Sequence, residues 1–254
     1  MLEGLSRFSV GEGIGSFAPL SAEMIEAFCV KGLPGRTSST RGTYRSVLRG
    51  LSGGGRGSVA TPFPGSLAAR PYSAAERAEL WAIARAQGPS WRRHSALALM
   101  CCCIGAGLRV RELLAAHTED VFREGETIVI SVRGNSARLV PVSSPYDLVL
   151  AELGDNSPRD RLFHPEPADR SYKNFVNDFC AHLVCDPSAP ALSALRSRSS
   201  FICDHLAART PLSVIVAISG LQNVESLRRH AVYVQGVPRT NAGLRRAALS
   251  EQAP

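Results

Sequence analysis

The sequence predicts a mainly α-helical protein carrying one small antiparallel β-sheet. Apolar residues recur at helical spacing in segment after segment, several of them opened by a capping residue. One stretch breaks that rhythm: Thr127-Ile128-Val129-Ile130-Ser131-Val132 and Ala137-Arg138-Leu139-Val140-Pro141-Val142 flank Arg133-Gly134-Asn135-Ser136, which reads as a hairpin. A third stretch, Ser52 to Leu67, holds Gly53-Gly54-Gly55 and two prolines and reads as a linker dividing the 254 residues.

In chain order, residues 1–18 are glycine-rich and show no clear period. Ser21 to Val30 is a short helix with Met24, Ile25, Phe28 and Cys29 on its apolar face. Lys31 to Gly35 turns the chain, and Ser38 or Ser39 caps a helix to about Leu51. On it Arg41, Arg45 and Arg49 recur every four residues, while Tyr44, Val47, Leu48 and Leu51 fall elsewhere. Such a stripe suits a helix laid along DNA, and it equally suits a solvated charged face. Past the linker, Ser73-Ala74-Ala75-Glu76 has the spacing of a capping box for a helix to about Gln87. Trp91 to Ile104 is the next helix and the hairpin follows. Further helices are expected over Pro145 to Leu153, Asp169 to Val184, Leu195 to Ala208, Pro211 to Ile218 and Asn223 to Ala231. Beyond Pro238 the tail reads as loosely ordered.

Composition narrows the function classes. Hydrophobic residues make up 44% and charged residues 20%, values of a folded protein rather than a disordered one. The net charge is +7 and almost all of the basic side is arginine, Lys31 and Lys173 being the two lysines. Arginine's planar fork grips phosphate through two hydrogen bonds, so the excess favours a nucleic-acid partner, although GC-rich coding also replaces lysine with arginine. The seven cysteines form no C-x-x-C pair, no metal or cofactor is expected, and Cys101-Cys102-Cys103 read as small hydrophobes. His164-Pro165-Glu166 lacks a metal-ligand partner, Gly11 to Gly15 lacks a strand–turn–helix context, and Trp81 and Trp91 read as packing residues. Without an apolar run of about 18 residues or a leader pattern, no membrane role and a cytoplasmic location are expected.

The most specific motif is Gly105-Ala106-Gly107-Leu108-Arg109-Val110-Arg111-Glu112-Leu113-Leu114, glycines ending one helix and arginine opening the next. Followed by a basic hairpin closing on Arg138-Leu139-Val140-Pro141, it resembles the catalytic domain of the tyrosine recombinases (the phage integrase family). The resemblance covers roughly residues 20–235. It implies a partial, truncated helical core-binding domain over residues 1–51, a linker over 52–72, a catalytic-like domain over 73–237 and a tail over 238–254. Family members cleave DNA with a tyrosine, leaving a 3′-phosphotyrosine; two arginines stabilise the phosphate, and a lysine and histidines assist.

Carried onto this chain, the resemblance implies that Arg109 is the first arginine and that Arg133 stands at the hairpin lysine. Arg198 or Arg196 is the second arginine, with Arg198 giving the better register. The histidine before it is replaced by Leu195, and the Leu-Gly-His pattern by Ser219-Gly220-Leu221. His230 occupies the nucleophile position and Tyr233 follows one helical turn later. The candidate catalytic set is therefore Arg109, Arg133, Arg198, His230 and Tyr233. The DNA-binding set is Arg41, Arg45, Arg49, Arg109, Arg133, Arg138, Arg196 and Arg198. Three readings stay open: a double-stranded-DNA-binding protein with weak or lost cleavage, an active recombinase using Tyr233, and a helical module regulating a recombinase. A homo-oligomer on DNA, or pairing with an active recombinase, is expected.

Overall fold

Ser95 to Ile104 is apolar on almost every side, and a helix of that character belongs at the centre of a fold. In the computed structural model it does lie there, every residue of this stretch being buried. The structure describes residues 2–13, 20–52, 67–155, 160–164 and 174–234. They divide into two units, residues 1–67 and 68–254.

The first unit contains α1 (Leu2–Gly11), α2 (Ala22–Lys31) and α3 (Ser38–Leu51). Thr37, not a following serine, caps α3 by accepting from the Thr40 N–H at 3.2 Å. Leu5, Met24, Ile25, Phe28, Cys29 and Leu48 form a small core. Helix α1 departs from the sequence expectation. Its Leu5 and Phe8 lie on one face, and Phe8 meets Phe28 at 5.6 Å between ring centroids.

The second unit begins with α4 (Ala74–Ala86), for which Ser73 and Glu76 close the expected capping box. Helix α5 (Ser90–Met100) runs into a π-helical turn over Cys101–Gly105. There Cys101, Cys102 and Cys103 are fully buried, while Cys185 is the exposed one of the seven cysteines. Next come α6 (Val110–Ala115), β1 (Val121–Glu124), β2 (Thr127–Val132) and β3 (Arg138–Pro141). The expected hairpin is β2 and β3, antiparallel, with Ile130 opposite Val140. Strand β1 extends it to three strands, with Val121 opposite the same Ile130.

Helices α7 (Tyr146–Asp155), α8 (Phe175–Ala181), α9 (Ala194–Ala207), α10 (Leu212–Ser219) and α11 (Arg228–Ala231) complete the unit. Their core gathers Leu99, Ile104, Leu113, Ile130, Leu150 and Phe201 around α5. Trp81 packs edge-on against Tyr146, as a packing residue would. The expected linker interior, the start of the helix expected from Asp169 and the tail beyond Pro238 lie outside the described residues. Among the described residues no helix is long and apolar enough to cross a membrane.

Candidate functional site

The Gly-Leu-Arg motif is a small machine for aiming an arginine. Gly107 takes a left-handed conformation (φ +62°), and a Cβ there would lie 2.3 Å from the Phe201 ring. Leu108 is buried and its N–H donates to the Cys102 carbonyl at 2.8 Å, closing the preceding helix. The chain then leaves Arg109 in extended backbone at the mouth of α6, where its N–H donates to Glu112 Oε2 at 2.8 Å.

Three guanidiniums from three elements converge on the end of α10. Arg138 Nε donates to the Ile218 carbonyl at 2.7 Å, Arg198 Nη2 to the Ser219 carbonyl at 2.7 Å, and Arg109 Nη2 to the Gly220 carbonyl. The last carbonyls of a helix lack intrahelical donors and carry the negative end of its dipole, so cations are favoured there. Gly220 ends α10 in the left-handed region (φ +64°), which exposes these carbonyls in succession. Arg198 also donates through Nη1 to the Gly107 carbonyl, and Arg109 Nη1 reaches Ser136 Oγ at 3.4 Å. Burial, and then the Arg109 charge nearby, bring the Arg198 guanidinium down to about 10, leaving it protonated at neutral pH.

The three arginines differ in what they leave free. Arg109 keeps 39% of its side chain exposed, whereas Arg138 keeps 10%. Arg138 spends its donors on Ile218, on both Glu112 oxygens at 2.8 and 3.0 Å, and on the Ser136 carbonyl at 3.0 Å. For Glu112, burial works against the charged form, but the Arg138 hydrogen bonds and the Arg109 N–H outweigh it and hold the carboxyl below its usual range.

His230 stands on α11 within the field of Arg198. Its Nδ1 is buried and has no hydrogen-bond partner among the described residues. Burial, then the Arg229 and Arg198 charges, lower its pKa against the opposing pull of the Ser226 backbone, so the ring is neutral at neutral pH. Tyr233 is placed elsewhere: its hydroxyl donates to the Ala68 carbonyl at 2.8 Å, and the residue lines a cavity with Tyr72, Arg77 and Asp204.

The remaining candidates sit outside this cluster. Arg196 lies two residues from Arg198, about 200° around the helix. It donates to the Arg70 carbonyl and to Glu76 at 2.7 Å, with its guanidinium 4.0 Å from the centre of the Tyr72 ring. Arg133 is held at 2.6 Å by Asp120 and at 2.7 Å by Glu119. In the first unit Arg45 and Arg49 both pair with Glu26 of α2 at 2.8 Å, and Arg41 donates to the Leu33 carbonyl. Glu112 and Ser136 escaped sequence reasoning. Glu112 carried a signal, standing three residues after Arg109 at capping distance, whereas Ser136 and the α10 carbonyls carried none.

No protein-family model and no curated protein matches this sequence. Solved structures do. The XerH site-specific recombinase bound to palindromic difH substrate, in a post-cleavage complex, superposes with a TM-score of 0.63 at 16% identity over 92% of this chain and 70% of that one. The Tn1549 transposon integrase in complex with circular intermediate DNA gives 0.61 at 16% identity, over 99% and 92%. The XerA recombinase gives 0.51 at 16%, over 100% and 98%. The fold is that of the tyrosine-recombinase catalytic domain, a mostly helical unit with a small three-stranded antiparallel sheet.

Proposed function

We propose that this chain binds double-stranded DNA in recombination or integration, on a tyrosine-recombinase fold whose strand-cleaving chemistry is weak or lost. The observation that carries the reading is the meeting of Arg109 and Arg198 at the end of α10, with Tyr233 hydrogen-bonded to Ala68 and a histidine, His230, within the field of Arg198. The two guanidiniums supply what a phosphodiester needs for binding: fixed donors for its non-bridging oxygens at a half-buried site where charge is weakly screened. That XerH and the Tn1549 integrase are found with DNA supports the same partner here.

Cleavage asks for more than binding. A nucleophile must lie in line with the scissile bond, and the departing 5′-oxygen must receive a proton. Tyr233 is engaged elsewhere, three residues past the nucleophile position and beyond the end of α11 at Ala231, whereas positioned catalysis tolerates a misplacement of roughly 1 Å. Arg133 holds two carboxylates, and a guanidinium keeps its proton near neutral pH. The first unit is read as a core-binding domain, and a second copy or an active recombinase as the protein partner on DNA. Light scattering with and without duplex tests that partner.

Fluorescence anisotropy with a labelled 30-base-pair duplex, at salt concentrations between 50 and 200 mM, tests the binding reading. Each phosphate contact contributes about 0.9 to the slope of log affinity against log salt. Arg109→Ala should lower both affinity and slope. An unchanged slope means the assigned arginine touches no phosphate. Incubation with a nicked suicide duplex tests the chemistry: a covalent adduct that disappears in Tyr233→Phe would restore the nucleophile and overturn the loss of cleavage.

A further inference from the structure

We propose that Arg138 is a positioning residue that keeps the Glu112 carboxylate from neutralising Arg109. The inference rests on the DNA-binding reading for its consequence, though not for its geometry.

Among the described residues Glu112 is the carboxylate paired with Arg109 and Arg138, and it serves two masters. One oxygen accepts the Arg109 backbone N–H, which anchors the start of α6. Both oxygens accept from Arg138, at 2.8 and 3.0 Å, in a two-pronged pair. The distance from Glu112 Oε1 to Arg109 Nη1 is 4.0 Å, so the carboxylate reaches the Arg109 guanidinium by a small rotation once Arg138 no longer claims it. A buried carboxylate deprived of its partner takes the nearest cation, because the alternative is an uncompensated charge out of water.

The surroundings hold Arg138 in this role. Its Nε and Nη1 are tied to the carbonyls of Ile218 and Ser136, so it joins α10, the hairpin turn and α6 through one flat group. Gly220 makes room for it: a Cβ at that position would stand 2.7 Å from Arg138 Nη1 and 2.8 Å from its Cζ. With 10% of its side chain exposed and its donors engaged, Arg138 has little to offer a phosphate directly. Its positive charge is spent on Glu112, which leaves the charge of Arg109 available.

Two variants decide the matter. In Arg138→Gln, Glu112 is released to pair with Arg109, and duplex affinity should fall about tenfold, with the salt slope smaller by about 0.9, the share of one phosphate contact. In the double variant Arg138→Gln, Glu112→Gln the competing carboxylate is gone, and the slope should return to the wild-type value with affinity within about threefold. A merely structural role would make the double variant no better than the single one, and a direct phosphate contact by Arg138 would leave the slope low in both. Either result overturns the proposal. The Nε–H resonance of Arg109, followed by NMR in protein labelled with 15N-arginine and free of DNA, should move in Arg138→Gln and return in the double variant. An unmoved resonance in the single variant overturns the proposal even if wild-type protein binds no duplex, an outcome that would instead sink the DNA-binding reading.

Discussion

Arg109 and Arg198 donate to consecutive carbonyls, those of Gly220 and Ser219, at the end of α10. One arrives from the mouth of a short helix and the other from within a long one, and a helix terminus holds them together. Burial first, and then the repulsion of like charges so placed, lower the Arg198 pKa. The negative end of α10 and the Glu112 carboxylate offset that repulsion. On the proposed DNA-binding reading, a site that gathers cations in this way is prepared for a phosphate before any phosphate arrives.

Arg196 and Arg198 should separate cleanly on substitution. Arg198→Ala is expected to lower duplex affinity and to reduce the salt slope by about 0.9. Arg196→Ala should leave the slope alone and instead cost about 1–2 kcal/mol of stability, since it loses the Glu76 pair and the Tyr72 ring contact. Salt titrations and thermal melts of the two variants side by side check this.

Gly107→Ala should be among the most damaging single-methyl changes in the chain. The added carbon meets the Phe201 ring and the backbone is left-handed, so a loss of about 2–5 kcal/mol is expected. The midpoint of urea denaturation measures it. A loss below about 1 kcal/mol would mean that the turn relaxes freely.

Tyr233→Phe removes one hydrogen bond to the Ala68 carbonyl, and about 1 kcal/mol of stability should go with it. Duplex affinity should not change. Binding that weakens in parallel would place the hydroxyl at the DNA.

His94 makes stability depend on pH. Its ring lies 4.4 Å from that of His164, centroid to centroid, and burial followed by that neighbour lowers its pKa from 6.5 to about 4. The unfolded chain therefore takes up a proton from about pH 6.5 downward while the folded protein does not. This contribution is intact above that pH and is lost as pH falls towards 4. Thermal melts at pH 7.5 and 5 should show a larger drop for wild type than for His94→Gln.

Much of the fold was legible because its signals are local. Ser73 and Glu76 announce α4, glycines frame Arg109, and alternation marks β2 and β3. What stayed hidden depends on contacts across elements. Arginines at every fourth position of α3 look alike whether they face solvent or Glu26, and only the packing of α2 decides. The choice between Arg196 and Arg198 likewise turns on the phase of α9 against its neighbours. Glycines masked the apolar face of α1, and β1 was too short to show alternation. The tie between Glu112 and Arg138 joins a helix to a strand, which no spacing along the chain encodes.

The cysteines have a practical consequence. Burial raises the pKa of Cys101, Cys102 and Cys103, denying them both reagent and thiolate, whereas Cys185 is open to solvent. A maleimide dye applied to the native protein therefore has one favoured attachment point. That point adjoins Val184, whose N–H is fastened to Gln87 at the far end of α4, so a fluorophore there reports tumbling and assembly without an engineered handle.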